Sequence, residues 1–298
     1  QVLPHGDEAL LASTVGVVIV DIKDPATPRY LGLLPLRASV NAMALVGKDR
    51  LAVALGQDGV VLADISDPRS PRKLSRIRLS GAAMGLAVAG GRLLVASGTA
   101  GLQLLDLKDP AAPRKIAHQD TPGYAREVVA RQGTVYVGDG REGLALFKLD
   151  AARGRLWSSG SFPLKGAARA LALTGERLLV ACAAAGVAVL DLTSPLKPRT
   201  SAWLPAKDTA RGVSAHKSLV AVADGTAGVV LFDISDTAAP RLTCHHKPRR
   251  SVNRVSLSRD LALVANDHDG LLVLRVRPGC VKGGQGEAQV LGSIPGAR

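Results

Sequence analysis

Aromatic rings are nearly missing from this chain: Phe, Tyr and Trp together make up 3% of its 298 residues. Their scarcity removes the stacking platforms that single-strand nucleic-acid binders use, so nucleic acid is not an expected partner. It counts equally against a groove that stacks on carbohydrate rings. Only three cysteines occur, Cys182, Cys244 and Cys280, with neither a CxxC pair nor metal-ligand spacing, so no metal and no cofactor is expected. Cys182 ends the apolar run from Leu178 and reads as a small buried hydrophobe. Cys244 and Cys280 fall in consecutive repeats and could pair in an oxidising compartment. No apolar stretch reaches the roughly 20 residues that span a bilayer. A P-loop, a dinucleotide fingerprint, an HExxH helix and a Ser-His-Asp order are all missing, so no residue is put forward as catalytic.

Charge is present in excess. The net value of +13 points toward acidic proteins, anionic surfaces or other anionic ligands. The surplus is spread over every part of the chain and forms no basic tail.

What the chain has above all is repetition. The tract Gly16-Val-Val-Ile-Val-Asp21 returns from Gly59, Gly101, Gly143, Gly186, Gly228 and Gly270, at intervals of 43, 42, 42, 43, 42 and 42 residues. A period of about 40–45 built from short apolar runs marks a β-propeller, one blade per repeat. In the second repeat Asn41 to Val46, Leu51 to Leu55, Val60 to Asp64 and Arg72 to Leu79 read as four strands, with a turn at Asp67-Pro68. The third strand is apolar at nearly every position, which suits a strand covered on both faces. The fourth ends in an apolar-Pro pair, as at Leu34-Pro35 and Leu204-Pro205, and proline belongs on an edge strand. The expected fold is all-β, a seven-bladed β-propeller with four antiparallel strands per blade, one domain over 1–298. Counting back from the second repeat aligns Gln1-Val-Leu3 with Ala44-Leu-Val46. Strand one of the first blade is therefore expected to be truncated, its missing half coming from upstream of Gln1 or from beyond Arg298, with upstream favoured.

Val17-Val-Ile-Val-Asp21-Ile22 followed by Asp24-Pro25, with close copies downstream, resembles the LVIVD repeat family. The resemblance implies a β-propeller of the extracellular, cell-surface or periplasmic kind, and carries no catalytic motif with it. The fourth repeat departs from the pattern, with Lys148 in place of the terminal Asp and no Asp-Pro after it.

In a propeller the loops from strand four to strand one, and from strand two to strand three, share one face. Three blades begin with Ala-Arg there, at Ala125-Arg126, Ala168-Arg169 and Ala210-Arg211, with Asn41 and Asn253-Arg254 at related positions. Three guanidiniums are expected to converge, each a planar fork of donors suited to carboxylate or phosphate. The same loops supply Asp58, Asp139, Glu142, Asp224, Asp267 and Asp269, with His268 between the last two. The expected ligand-binding set is Arg126, Arg169, Arg211, Arg254, Asn41, Asp139, Asp224, Asp267 and His268. Bridging of the arginines to neighbouring carboxylates, with no ligand at all, is the competing reading, and both stay open. The function expected is binding or scaffolding of an acidic protein or anionic ligand, within a larger surface assembly as one form of it. An enzyme, a lyase or hydrolase working on an anionic substrate at the same place, is the alternative.

Overall fold

A computed structural model describes residues 1–247, 250–266, 270–276 and 289–294. It is a seven-bladed β-propeller in which every blade is a four-stranded antiparallel sheet in chain order. Among the described residues no helix forms. Blade five shows the plan, with strands at Ala170–Thr174, Arg177–Ala181, Val187–Asp191 and Arg199–Leu204. Strand three is buried along its length, with Val187, Ala188, Val189 and Leu190 each at most 1% exposed.

Contacts divide the chain into two compact units. One comprises Gln1–Leu11, Val20–Tyr30 and Arg169–Arg298, the other Ala12–Ile19 and Leu31–Ala168. The first unit holds blades five to seven. Its core packs strand three of blade five (Val187, Val189) against strand two of blade six (Val220, Val222). Small β-branched side chains fill this space, so the scarcity of rings leaves no gap. A Cβ added at Gly292 in the last strand would stand 2.6 Å from Pro28 Cδ, so the last blade lies tightly against the Asp-Pro turn of the first. The second unit is built the same way: Leu94, Leu102 and Leu104 of blade three meet Val128, Val135, Val137 and Phe147 of blade four.

The repeat aspartates are turn formers. Asp21, Asp64, Asp106, Asp191 and Asp233 each accept the backbone N–H two residues on, at 2.7–3.0 Å. Hydrogen bonds from Ser66 and Arg72 hold the Asp64 carboxyl far below its ordinary range. Blade four departs in sequence and keeps the device: strand three runs on to Asp150, whose carboxylate accepts the Arg153 N–H at 3.0 Å.

Strand one of the first blade differs from the sequence expectation, and a bulge in strand four adds to it. Strand one of the first blade has four paired residues, Val2↔Leu11 to His5↔Glu8, as many as Ala42↔Ala54 to Leu45↔Leu51 in the second. The second hairpin spans 46–50 where the first spans only Gly6-Asp7, so a count carried through it displaces the first strand. In blades two to seven the strand three–four ladder also slips at one matching place, for example between Val189 and Leu190. Such a bulge bends an edge strand away from further pairing.

Candidate functional site

The face expected to bind is built from one repeated turn. The residue after strand two donates its N–H to the glycine that opens strand three: Ser97 to Gly101, Asp139 to Gly143, Cys182 to Gly186 and Asp224 to Gly228, at 2.7–2.8 Å. The next residue turns left-handed, with φ of 53° at Gly225 and 54° at Ala183. It then bridges to the following blade, as in Gly98↔Ala125, Gly140↔Ala168 and Ala183↔Ala210. The alanine of each Ala-Arg pair is therefore the blade-to-blade joint, fully buried at Ala125, Ala168 and Ala210. A larger side chain there would force the bridge apart, and the arginine emerges one residue later.

Arg169, Arg211 and Arg254 belong to the first unit and Arg126 to the second. Arg126 is exposed, its guanidinium carbon 5.0 Å from the centroid of the Tyr124 ring, a cation–π contact of about 0.5–1 kcal/mol at an exposed site. Arg169 is exposed, and among the described residues its side chain makes neither an ion pair nor a hydrogen bond. Arg211 is half-buried and donates from Nη1 to Asn253 Oδ1 at 2.7 Å. Arg254 follows at the bulge between Val252 and Arg254. Asn41 faces inward to its neighbour: its Nδ2 donates to Ala83 O at 3.0 Å and reaches Met84 Sδ at 3.5 Å.

The aspartates require a correction. Asp139 and Asp224, expected beside the ligand, are 1% and 0% exposed and hold loops in place. Asp224 accepts the backbone N–H of Lys207 on Oδ2 (2.6 Å) and of Asp208 on Oδ1 (3.2 Å). Asp139 Oδ2 accepts Gly123 N–H at 2.7 Å, while its Oδ1 is buried without a protein partner among the described residues. The cause is local: Pro122 stands where Lys207 supplies an N–H in the later blade, and proline has none. Asp267 and His268 lie outside the described residues, as does Cys280.

Two residues of this face carry no repeat signal and escaped the sequence reading: Tyr124 and Asp208. Asp208 accepts Thr226 N–H (2.7 Å) and the hydroxyls of Thr226 (2.8 Å) and Thr209 (3.1 Å). These bonds, followed by the Arg211 charge, lower its carboxyl pKa. Its place three residues before Arg211 was the available clue. Within the first unit the arrangement offers the guanidinium donors of Arg169 and Arg211 together with two carboxylates, Asp208 and Asp224, that are engaged by loop N–H and hydroxyl groups.

Comparison with solved structures agrees on the fold. A protein from Lactobacillus plantarum matches with a TM-score of 0.77 at 15% identity over 97% of both chains. A protein from Desulfotomaculum acetoxidans matches with 0.76 at 13% identity, over 97% of this chain and all of its own. The Cps50 (Swd1) β-propeller domain from Myceliophteria thermophila follows with 0.75 at 15% identity, over 93% of this chain and 96% of that one. No curated protein matches the sequence. The LVIVD repeat model matches residues 80–121 and 209–245, which are the third blade and the larger part of the sixth. Over those two stretches the chain is similar to the LVIVD repeat, in agreement with the resemblance read from its sequence.

Proposed function

We propose that this propeller is a binding or scaffolding module that engages an acidic protein or other anionic ligand through the face bearing the strand two–three turns. The observation that carries the reading lies within the first unit. Arg169 is exposed without an ion-pair partner among the described residues, Arg211 is held by a neutral amide, and Asp224 on the same face is occupied by backbone N–H groups. Arg211 uses one of its five donors on Asn253, so most of its fork stays available to a carboxylate. The net charge of +13 adds long-range attraction for an anionic partner. Display outside the cytoplasm, as the LVIVD resemblance implies, is part of the same proposal; recovery in the cytosolic fraction alone would overturn that part.

The test is fluorescence anisotropy with a labelled oligoglutamate peptide. Arg169→Ala with Arg211→Ala is expected to weaken binding at least about tenfold, or ~1.4 kcal/mol, and lysines at both sites to restore part of it. Undiminished affinity in the double alanine variant overturns the assignment.

A further inference from the structure

The opposite face carries the strand one–two hairpins and the aspartate turns. There, between blades five and six of the first unit, lies a cavity of about 470 Å³, within the range of roughly 300–1,000 Å³ usual for small-molecule sites. Its lining includes Glu176, Arg177, Asp191, Thr193, Lys217 and Thr237, with no aliphatic or aromatic residue among its members.

Blade three supplies an internal comparison. Arg92 and Asp106 sit opposite each other in the ladder, as Arg177 and Asp191 do in blade five. Arg92 pairs with Asp106 and donates from Nε to Ala151 O at 3.1 Å, and the pair is closed. In blade five the same two residue types, in the same register, make no ion pair among the described residues. Arg177 reaches across to Ile234 O at 3.1 Å, and Asp191 engages Thr193 N–H through Oδ1 alone, at 2.7 Å. The remaining guanidinium donors and Asp191 Oδ2 are left to the cavity. Lys217, from the next blade, is exposed and has no side-chain partner among the described residues, and the hydroxyls of Thr193 and Thr237 are likewise uncommitted.

We propose that this cavity binds a small hydroxylated carboxylate. Lys217 and Arg177 match its carboxylate, while Asp191 Oδ2 and the two threonine hydroxyls exchange hydrogen bonds with its hydroxyls. A neutral polyol leaves both cations unmatched, and a polyanion meets the Asp191 and Glu176 charges. The site is separate from the arginine-bearing face, so the two assignments stand or fall independently.

Isothermal titration with D-gluconate, and with sorbitol as its uncharged counterpart, tests it. Gluconate is expected to bind, with sorbitol at least about tenfold weaker. Lys217→Gln and Asp191→Asn are each expected to weaken gluconate several-fold. Lys217→Gln should keep the wild-type melting profile because Lys217 is exposed, and Asp191→Asn should lower the Tm by no more than ~4 °C because asparagine retains an acceptor for Thr193 N–H. Arg169→Ala with Arg211→Ala is expected to leave gluconate binding unchanged. Absence of gluconate binding, equal affinity for sorbitol, or full affinity in both cavity variants overturns the proposal.

Discussion

Asp224→Asn and Asp139→Asn are the same chemical change at matching turn positions, yet the structure predicts very different costs. Asp224 is fully buried and both of its oxygens accept backbone N–H groups. Asparagine turns one acceptor into an NH2 that faces an N–H. This removes a charge-assisted hydrogen bond of about 1.5–3 kcal/mol and strands a buried donor at about 1–3 kcal/mol more. The expected loss is roughly 3–5 kcal/mol. At Asp139 the amide oxygen can keep Gly123 N–H, and the NH2 goes to the side where Oδ1 has no protein partner. The loss there is expected to stay near ~1 kcal/mol, the difference between a charged and a neutral acceptor. At roughly 2–4 °C per kcal/mol for a chain of this order, Asp224→Asn should lower the Tm by about 6–20 °C and Asp139→Asn by no more than ~4 °C. Differential scanning calorimetry of the two variants reads both shifts. Pro122→Ala, which returns an N–H to the loop, should make Asp139→Asn more damaging than it is beside proline. Equal losses at the two aspartates would refute the idea that loop N–H groups set the worth of each carboxylate.

Stability should depend on acid in a defined direction. The carboxyls of Asp24, Asp64, Asp106, Asp150, Asp208 and Asp233 sit below their ordinary value of 3.8, chiefly through turn hydrogen bonds. The unfolded chain therefore binds protons more readily, so this stabilisation is present above about pH 4 and is lost as pH falls through the folded values. Thermal melts at pH 7, 5, 4 and 3 check it; a Tm as high at pH 3 as at pH 7 contradicts it. Burial pushes the Cys182 thiol up to about 11, so thiol reagents at pH 8 should leave it unmodified until the protein unfolds, as peptide mass spectrometry would report. Gly186 has φ of 87°, and a Cβ there would run into the Leu204 carbonyl. Gly186→Ala should cost about 2 kcal/mol or more, whereas Ala183→Gly, at a left-handed φ of 54°, should gain about 0.5–1 kcal/mol in urea unfolding.

Blade count and strand order are legible in the sequence because strand three starts close under the strand-four carbonyls, as at Gly16, Gly59, Gly101, Gly143 and Gly186, where a Cβ would run into a carbonyl oxygen. The Ala-Arg pairs are legible as positions, since the period places them. Their alanine role is not, because the bridge it makes is to another blade's turn and leaves no local pattern. Asp58, Asp139 and Asp224 come from equivalent loops, yet Asp58 directly precedes the glycine of strand three and is exposed, while the other two open the turn three places earlier and are buried. Whether such an aspartate is buried depends on N–H groups delivered by a loop some sixteen residues upstream. The open Arg177–Asp191 pair is equally hidden, since its sequence is the same in kind as the closed pair in blade three.

A hydrogen-exchange footprint of the oligoglutamate complex tests most directly that the arginine-bearing loops form the binding face. The account predicts slowed exchange in 206–212 and 224–228 on adding peptide, with the hairpins at 174–177 and 216–219 unchanged. Protection confined to those hairpins, or none in either loop under saturating peptide, would contradict it.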